Sequence, residues 1–467
     1  MPDDTPNHRN AIADSSDAKD FGDLEAIENV PFEETAQPPA QEPLSWFKLV
    51  ARAAVIAFYL VWHSVRWLTV RLGMALSGQD EAHCLAWFSE CLLRLFRDLG
   101  ATFIKVGQIM STRPDLLPPH AIDALEKLQD QVGPFDFALV QETIIEDFGE
   151  PLEDIFESFS NEPIASASVA QVHQARLRDG RTVAVKVRRP RVDLIVAFDL
   201  AVMRLAARLM CLIPSIRLFA PVEAVDEFGR GVRLQLDFSI EAKNNERFRR
   251  CFAGNSDVVF PVLVKELCSR RVLTMDFIEG VKVLQFRQTR HDPARLARIG
   301  FHLLLKMVFE DGFVHADLHP GNILITPEGR IALVDLGLVG EVEQKKRLDF
   351  MRFFAAWAQR DGKTMSRVLL ELSPARAQTP SREGFERAVD DFVQRTWGKP
   401  IGDLQIGAVV LDLLHILRRY GIRVNPTFTM VSIAIAVTEG IGRQLDPSLN
   451  LMQEAVPFFA KLQKSAA

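Results

Sequence analysis

Short apolar runs bounded by turn residues mark the strands. Thr182-Val-Ala-Val-Lys186-Val reads as one, and Pro163 to Gln174 (PIASASVAQVHQ) precedes it, with Arg178-Asp-Gly-Arg181 as the hairpin turn between them. Ile323-Leu-Ile325 and Ile331-Ala-Leu-Val334 flank a Pro-Glu-Gly turn and predict a second hairpin. Val272 to Gly280 predicts a strand entering a hinge. Elsewhere the period is helical: Glu81 to about Phe148, about 292 to 312, Leu348 to Leu372, Arg382 to Thr396 and Gly407 to Tyr420.

Trp46 to Leu72 makes its own demand on its surroundings. The uninterrupted apolar run Ala53 to Trp62 is too short for a bilayer span, which needs about 20 residues. At about 100° per residue, Lys48, Arg52, His63 and Arg66 fall within roughly 60° of one another. That profile fits a helix lying on an anionic membrane surface, or one packed on the protein's own body or on a second copy in a homodimer. Gly402 to Leu445 is interrupted by Asp412, His415, Arg418, Arg419, Arg423 and Pro426, so buried helices are expected there.

Composition changes the picture in two ways. Residues 1–43 hold eleven Asp or Glu against Arg9 and Lys19, a local net of −9 within a total of −6, and are expected to form a disordered acidic tail. The remainder is mildly basic, without the excess of a dedicated nucleic-acid binder. The five cysteines form no CxxC pair, which excludes a disulfide framework or zinc ribbon and fits a cytosolic chain, peripheral on a membrane's inner face if attached at all.

The chemistry gathers around Phe313-Val-His-Ala-Asp-Leu-His-Pro-Gly-Asn-Ile-Leu-Ile-Thr326. Asp317 and Asn322 stand five apart, and Asp335 opens Asp-Leu-Gly thirteen residues later, the spacing of a phosphoryl-transfer site. Asp317 would orient the acceptor or take its proton, while Asn322 and Asp335 would hold magnesium against ATP or ADP phosphates. Lys186 needs a carboxylate partner, for which Glu241 is preferred over Glu246. Ala165, Ala167 and Ala170 stand 21, 19 and 16 residues before Lys186, where kinases have glycines. That loop, with Ser166, Ser168, Val169 and Gln171, is the expected phosphate cover, and Asp276 and Ile278 lie where adenine would meet the hinge. Lys105 and Gln108 share a helix face, and Gly107 between them allows another backbone to approach.

These segments, together with Ser111 to Pro118, Leu236-Asp-Phe238 and Leu445-Asp-Pro447, resemble the UbiB (AarF) family of atypical protein-kinase-like proteins from about residue 90 to 455. The resemblance implies an α+β, two-lobed protein-kinase-like fold with an N-terminal helical extension over the active site. Expected boundaries are a tail (1–43), an amphipathic helix (44–75), the extension (76–160), an N-lobe (161–285), a C-lobe (286–455) and a short tail (456–467). It also implies that Lys105 and Gln108 point into the pocket, and that the activity is ATPase or small-molecule kinase work supporting ubiquinone biosynthesis, beside quinone-biosynthesis proteins or lipid precursors. A nucleotide-sensing scaffold with negligible turnover is the alternative. Where the family has Glu-x-Asp, this chain has Gln235-Leu236-Asp237, which is expected to weaken the hold on Lys105. Many bacterial members carry paired hydrophobic helices at the C-terminus; here attachment is expected from residues 46–72 or from partners.

Overall fold

The structure, a computed structural model, describes residues 45–459 except 77–80, 112–120, 122–123, 126–127, 129–132, 214–220, 374–380, 398–405, 423–425, 450–453 and 456. The acidic tail, most of the Ser111 to Pro118 segment and most of the C-terminal tail therefore lie outside the described residues.

The expected first hairpin forms from β3 (Ala170–Leu177) and β4 (Thr182–Arg188), and Gly180 takes φ +90 in its turn. Alternation along β4 sends Val183, Val185 and Val187, all fully buried, against Val140 and Ile144 of α4 (Phe137–Phe148). Lys186 is thereby left on the opposite face. β1 (Phe156–Phe159) and β2 (Ala165–Ser166) flank β3, and β6 (Val272–Asp276) pairs with β4, completing a five-stranded sheet. The sheet begins at Phe156, earlier than the expected lobe boundary at 161, because Phe156 and Phe159 pack with the core between sheet and α4.

Among the described residues, two helices separate β4 from the helix bearing Glu241: α5 (Val192–Met210) and α6 (Pro221–Gln235). Next comes α7 (Phe238–Cys251), N-capped by Asp237, whose Oδ1 accepts the Ser239 amide at 3.1 Å. The far end of α7 belongs to the other lobe. Phe248 lies 4.6 Å from the ring of Phe313 and 5.3 Å from that of Phe260, and Asn244 donates to the Leu336 carbonyl at 2.9 Å.

The C-lobe sheet has the order β5-β10-β9-β7, with β5 (Val258–Val259) parallel to β10 (Ile331–Leu333) and β9 (Ile323–Ile325) antiparallel to it. β7 (Val281–Lys282) closes the far edge, and a separate pair joins β8 (Phe313–His315) to β11 (Val339–Glu341). The helix expected over 292–312 is α8 (Pro293–Leu305) followed by π-helical turns to Asp311. The helix expected over 348–372 is two, α9 (Gln344–Ala358) and α10 (Gly362–Glu371); Arg360 takes φ 60 between them, and Asp361 starts the second by accepting the Thr364 amide. Helices α11 (Arg382–Trp397), α12 (Ile406–Arg419) and α13 (Pro426–Leu445) follow as expected.

The amphipathic helix is α1 (Trp46–Leu76), and the extension opens with α2 (Glu81–Leu99) and α3 (Ala101–Ser111), which meet at Gly100 with φ +94. Here α1 departs from expectation in length and orientation. Trp46–Met74 is long and apolar enough to cross a membrane by length and composition alone. Three of the four residues of its basic stripe face the protein: Arg52 Nε meets Asp199 Oδ1 of α5 at 2.6 Å and Arg52 Nη2 donates to the Leu99 carbonyl at 2.6 Å. His63 Nε2 stands 2.8 Å from Asp98 Oδ2, and the Arg66 guanidinium lies 5.1 Å from the centre of the Trp87 ring. Outward point Phe58, Val61, Trp62 and Val65, all more than half exposed.

Candidate functional site

The cleft between the lobes receives one lysine from the upper sheet and carboxylates from below. Lys186 Nζ donates to Glu241 at 2.9 Å (Oε1) and 2.8 Å (Oε2), and to Asp335 Oδ2 at 3.3 Å. Glu241 is therefore the partner; Glu246 pairs with Arg249 on its own helix at 3.4 Å. Burial alone would lower the Lys186 pKa, but the charges of Asp335 and Glu241 outweigh it and hold the ammonium more firmly than in water. Burial pushes the Glu241 carboxyl up, against the opposing pull of Lys186. Asp335 is also opposed by burial, yet Lys186, the Gly337 amide and the charge of Lys105 hold it well below the usual carboxylate range. Its side chain is 45% exposed, so water screens part of that effect.

The loop bearing Asp317 is set by His315. Its Nδ1 accepts the Asp317 amide at 3.1 Å, so Nε2 carries the hydrogen and donates to the Asp335 carbonyl at 2.6 Å. Burial lowers the His315 pKa and keeps the ring neutral. One neutral imidazole thus ties the loop of Asp317 to the strand end bearing Asp335. Asn322 Nδ2 donates to the Asp317 carbonyl at 3.3 Å, leaving Oδ1 as the atom a hard cation would take. Among the described residues, no hydrogen bond or ion pair engages the Asp317 carboxylate, which suits a group that must receive a proton. Nor does any cluster of three or more His, Cys, Asp or Glu suited to a metal occur among them. Asn322 and Asp335 fit magnesium held jointly with phosphate oxygens and water.

The alanine-rich loop is a closed turn. The Ala167 amide donates to the Ala170 carbonyl at 2.7 Å, and Arg189 Nη2 reaches the Ala167 carbonyl at 3.3 Å. Ala165 and Ser166 pair with Val172 and Gln171, and Val169 packs on the α5–α6 cluster. Ser168 is buried. Gln171 faces away from a nucleotide: its Oε1 accepts the Phe135 amide at 3.0 Å and its amide nitrogen meets His173 Nε2 at 2.9 Å. At the hinge Asp276 closes β6, its carboxylate 3.9 Å from Arg181, and Ile278 lies two residues beyond.

From the extension, α3 brings Lys105 near enough for its charge to act on Asp335, with no ion pair formed at contact distance. Gln108 Nε2 lies 3.5 Å from the Leu128 carbonyl. At Gly107 the close neighbours are side chains and not the backbone expected: an added Cβ would stand 2.3 Å from Leu128 Cδ1 and 2.9 Å from Phe96 Cδ2. Gln235 Nε2 is buried without a hydrogen-bond partner among the described residues. Asp237 has a plain task, capping α7 and accepting Arg270 Nε at 2.9 Å. Sequence reasoning missed His315 and Arg189; His315, two residues before Asp317, offered a signal in the motif itself.

The profile of the ABC1 atypical kinase-like domain matches residues 127–369, and that of the UbiB helical domain matches 389–450. The chain is 35% identical over 376 residues to the probable protein kinase UbiB of Tolumonas auensis, covering 79% of this chain and 69% of that one. It is 35% identical over 428 residues to that of Pseudomonas fluorescens, covering 90% and 76%. Among solved structures, a Mycobacterium tuberculosis protein, Rv3197, in complex with erythromycin superposes with TM-score 0.50 at 22% identity, over 73% of this chain and 88% of that one, a likeness of fold. With its kinase-like cleft and its α3 motif, the chain belongs to the UbiB family of ABC1 atypical kinase-like proteins.

Proposed function

We propose that the cleft binds ATP or ADP with magnesium and works as an ATPase or small-molecule phosphotransferase supporting isoprenoid quinone biosynthesis. The observation that carries this reading is Lys186, held between Glu241 and Asp335 with Asn322 and the free Asp317 carboxylate alongside. Lys186 would position the phosphates, Asn322 and Asp335 would hold the metal, and Asp317 would orient the acceptor or take its proton. Bound magnesium would neutralise charge on the phosphoryl oxygens. Transfer to a protein in trans ranks last, a ranking supported by the charge of Lys105, which reaches Asp335 from the extension. Magnesium-dependent phosphate release in the full chain and in Asp335→Asn tests the reading. A loss of about a hundredfold or more is expected from removing the metal-holding charge, and equal release from both proteins would overturn it.

A second reading, a nucleotide-sensing scaffold with negligible turnover, is favoured by one feature. The Ala167 amide, which a glycine-rich loop would offer to phosphate, is already spent on Ala170. Tight nucleotide binding with no release, in the presence of lipid and phenolic compounds, would select it.

A further inference from the structure

The outer face of α1 is unusual in breadth. From Val50 to Leu68 its exposed residues are apolar except Ser64, and at about 100° per residue they cover roughly 220° of arc. The charges that would interrupt this face are turned inward, Arg52 to Asp199, His63 to Asp98 and Arg66 to Trp87. The exposed ones, Lys48 and Arg71, stand at the two ends. Beside it, α5 packs through Val202 and Met203 on the cluster containing Ile56, and shows Leu205 and Leu209 at 53% and 59% exposure.

We propose that α1 and the adjoining flank of α5 form a docking face for a lipid bilayer, lying in the membrane plane and engaging acyl chains without need of headgroup charge. Breadth selects the occupant. A partner helix, including α1 of a second copy, covers a stripe of about 100° and would leave the rest in water, whereas a bilayer wets the whole arc. The in-plane orientation follows from the clasps. Arg52 and His63, about 16 Å apart along the helix, are both paired to the folded body. A spanning α1 would pull α2 and α5, with Asp98 and Asp199, into hydrocarbon. The proposal stands independently of the nucleotide chemistry.

The test floats full-length protein with vesicles of pure phosphatidylcholine. Binding that survives high salt is expected, and Trp62→Glu and Leu209→Glu should each weaken it by about tenfold or more. Nucleotide binding and thermal unfolding of each variant report whether it is folded. Retention only on anionic vesicles, or its loss in salt, would overturn the proposal in favour of headgroup attraction. Undiminished binding by both variants, or no vesicle binding together with a dimer that Trp62→Glu dissociates, would also overturn it. Finally, Trp46→Cys and Leu72→Cys, read above the native thiols, should react with an impermeant thiol reagent from the same side of the vesicle. Labelling from opposite sides would show a span and refute the in-plane arrangement.

Discussion

Arg52→Ala tests the seating of α1 directly. Asp199 is fully buried, and among the described residues Arg52 is its partner, at 2.6 Å from Nε and 3.1 Å from Nη2. The guanidinium itself is 23% exposed, so the lysis of this pair leaves a charge that water reaches poorly. Removing one member of such a buried pair costs about 3–5 kcal/mol. Losing the bond to the Leu99 carbonyl adds about 1 kcal/mol. Because the carboxylate is the costly remnant, Arg52→Met combined with Asp199→Leu should recover most of the loss. Urea unfolding of wild type, Arg52→Met, Asp199→Leu and the double variant gives the coupling energy from a cycle. If Arg52→Ala costs under about 1 kcal/mol, the value of a surface pair, α1 is not held on α5 as described and the docking face loses its foundation.

Two further outcomes follow from the site's surroundings. Asp237→Ala should cost about 1 kcal/mol by uncapping α7, and should raise the KM for nucleotide more than it lowers kcat if α7 then positions Glu241 less firmly; unchanged unfolding midpoint and kinetics would contradict the capping role. His173 donates from Nδ1 to the Ser160 carbonyl at 2.8 Å and accepts at Nε2 from Gln171, so burial lowers its pKa and the folded protein disfavours its protonation. The unfolded chain then binds the extra proton below about pH 6.5, so stability declines as the pH drops through that range, by at most about 1.4 kcal/mol per unit. His173→Gln should flatten that slope in pH-dependent unfolding, and an identical slope would refute the assignment.

Local signals served the reading of the chain well where chemistry fixes spacing. Asp317, Asn322 and Asp335 needed only a hairpin to meet, and that hairpin was written in Ile323–Ile325 and Ile331–Leu333. The pairing of Glu241 with Lys186 followed from the demand of a buried ammonium. What stayed hidden depended on partners distant in the chain. The basic stripe of α1 was visible, but its direction rests on Asp98 and the buried Asp199, and no local pattern announces those pairings. Gln171 sat in the right loop, yet the Phe135 backbone claimed it. The break at Arg360 was signalled by the turn pair Asp361-Gly362, which the helical reading of 348–372 passed over.

The footing of α7 has a mechanical consequence. In kinases that switch by swinging the glutamate-bearing helix, the helix must be free to leave the lower lobe. Here Phe248 stacks among Phe260 and Phe313, Asn244 grips the backbone beside Asp335, and the chain then runs into β5 alongside β10. A swing would empty an aromatic socket and unzip a strand. α7 acts as a strut, so the Lys186–Glu241 pair is a fixed part of the frame.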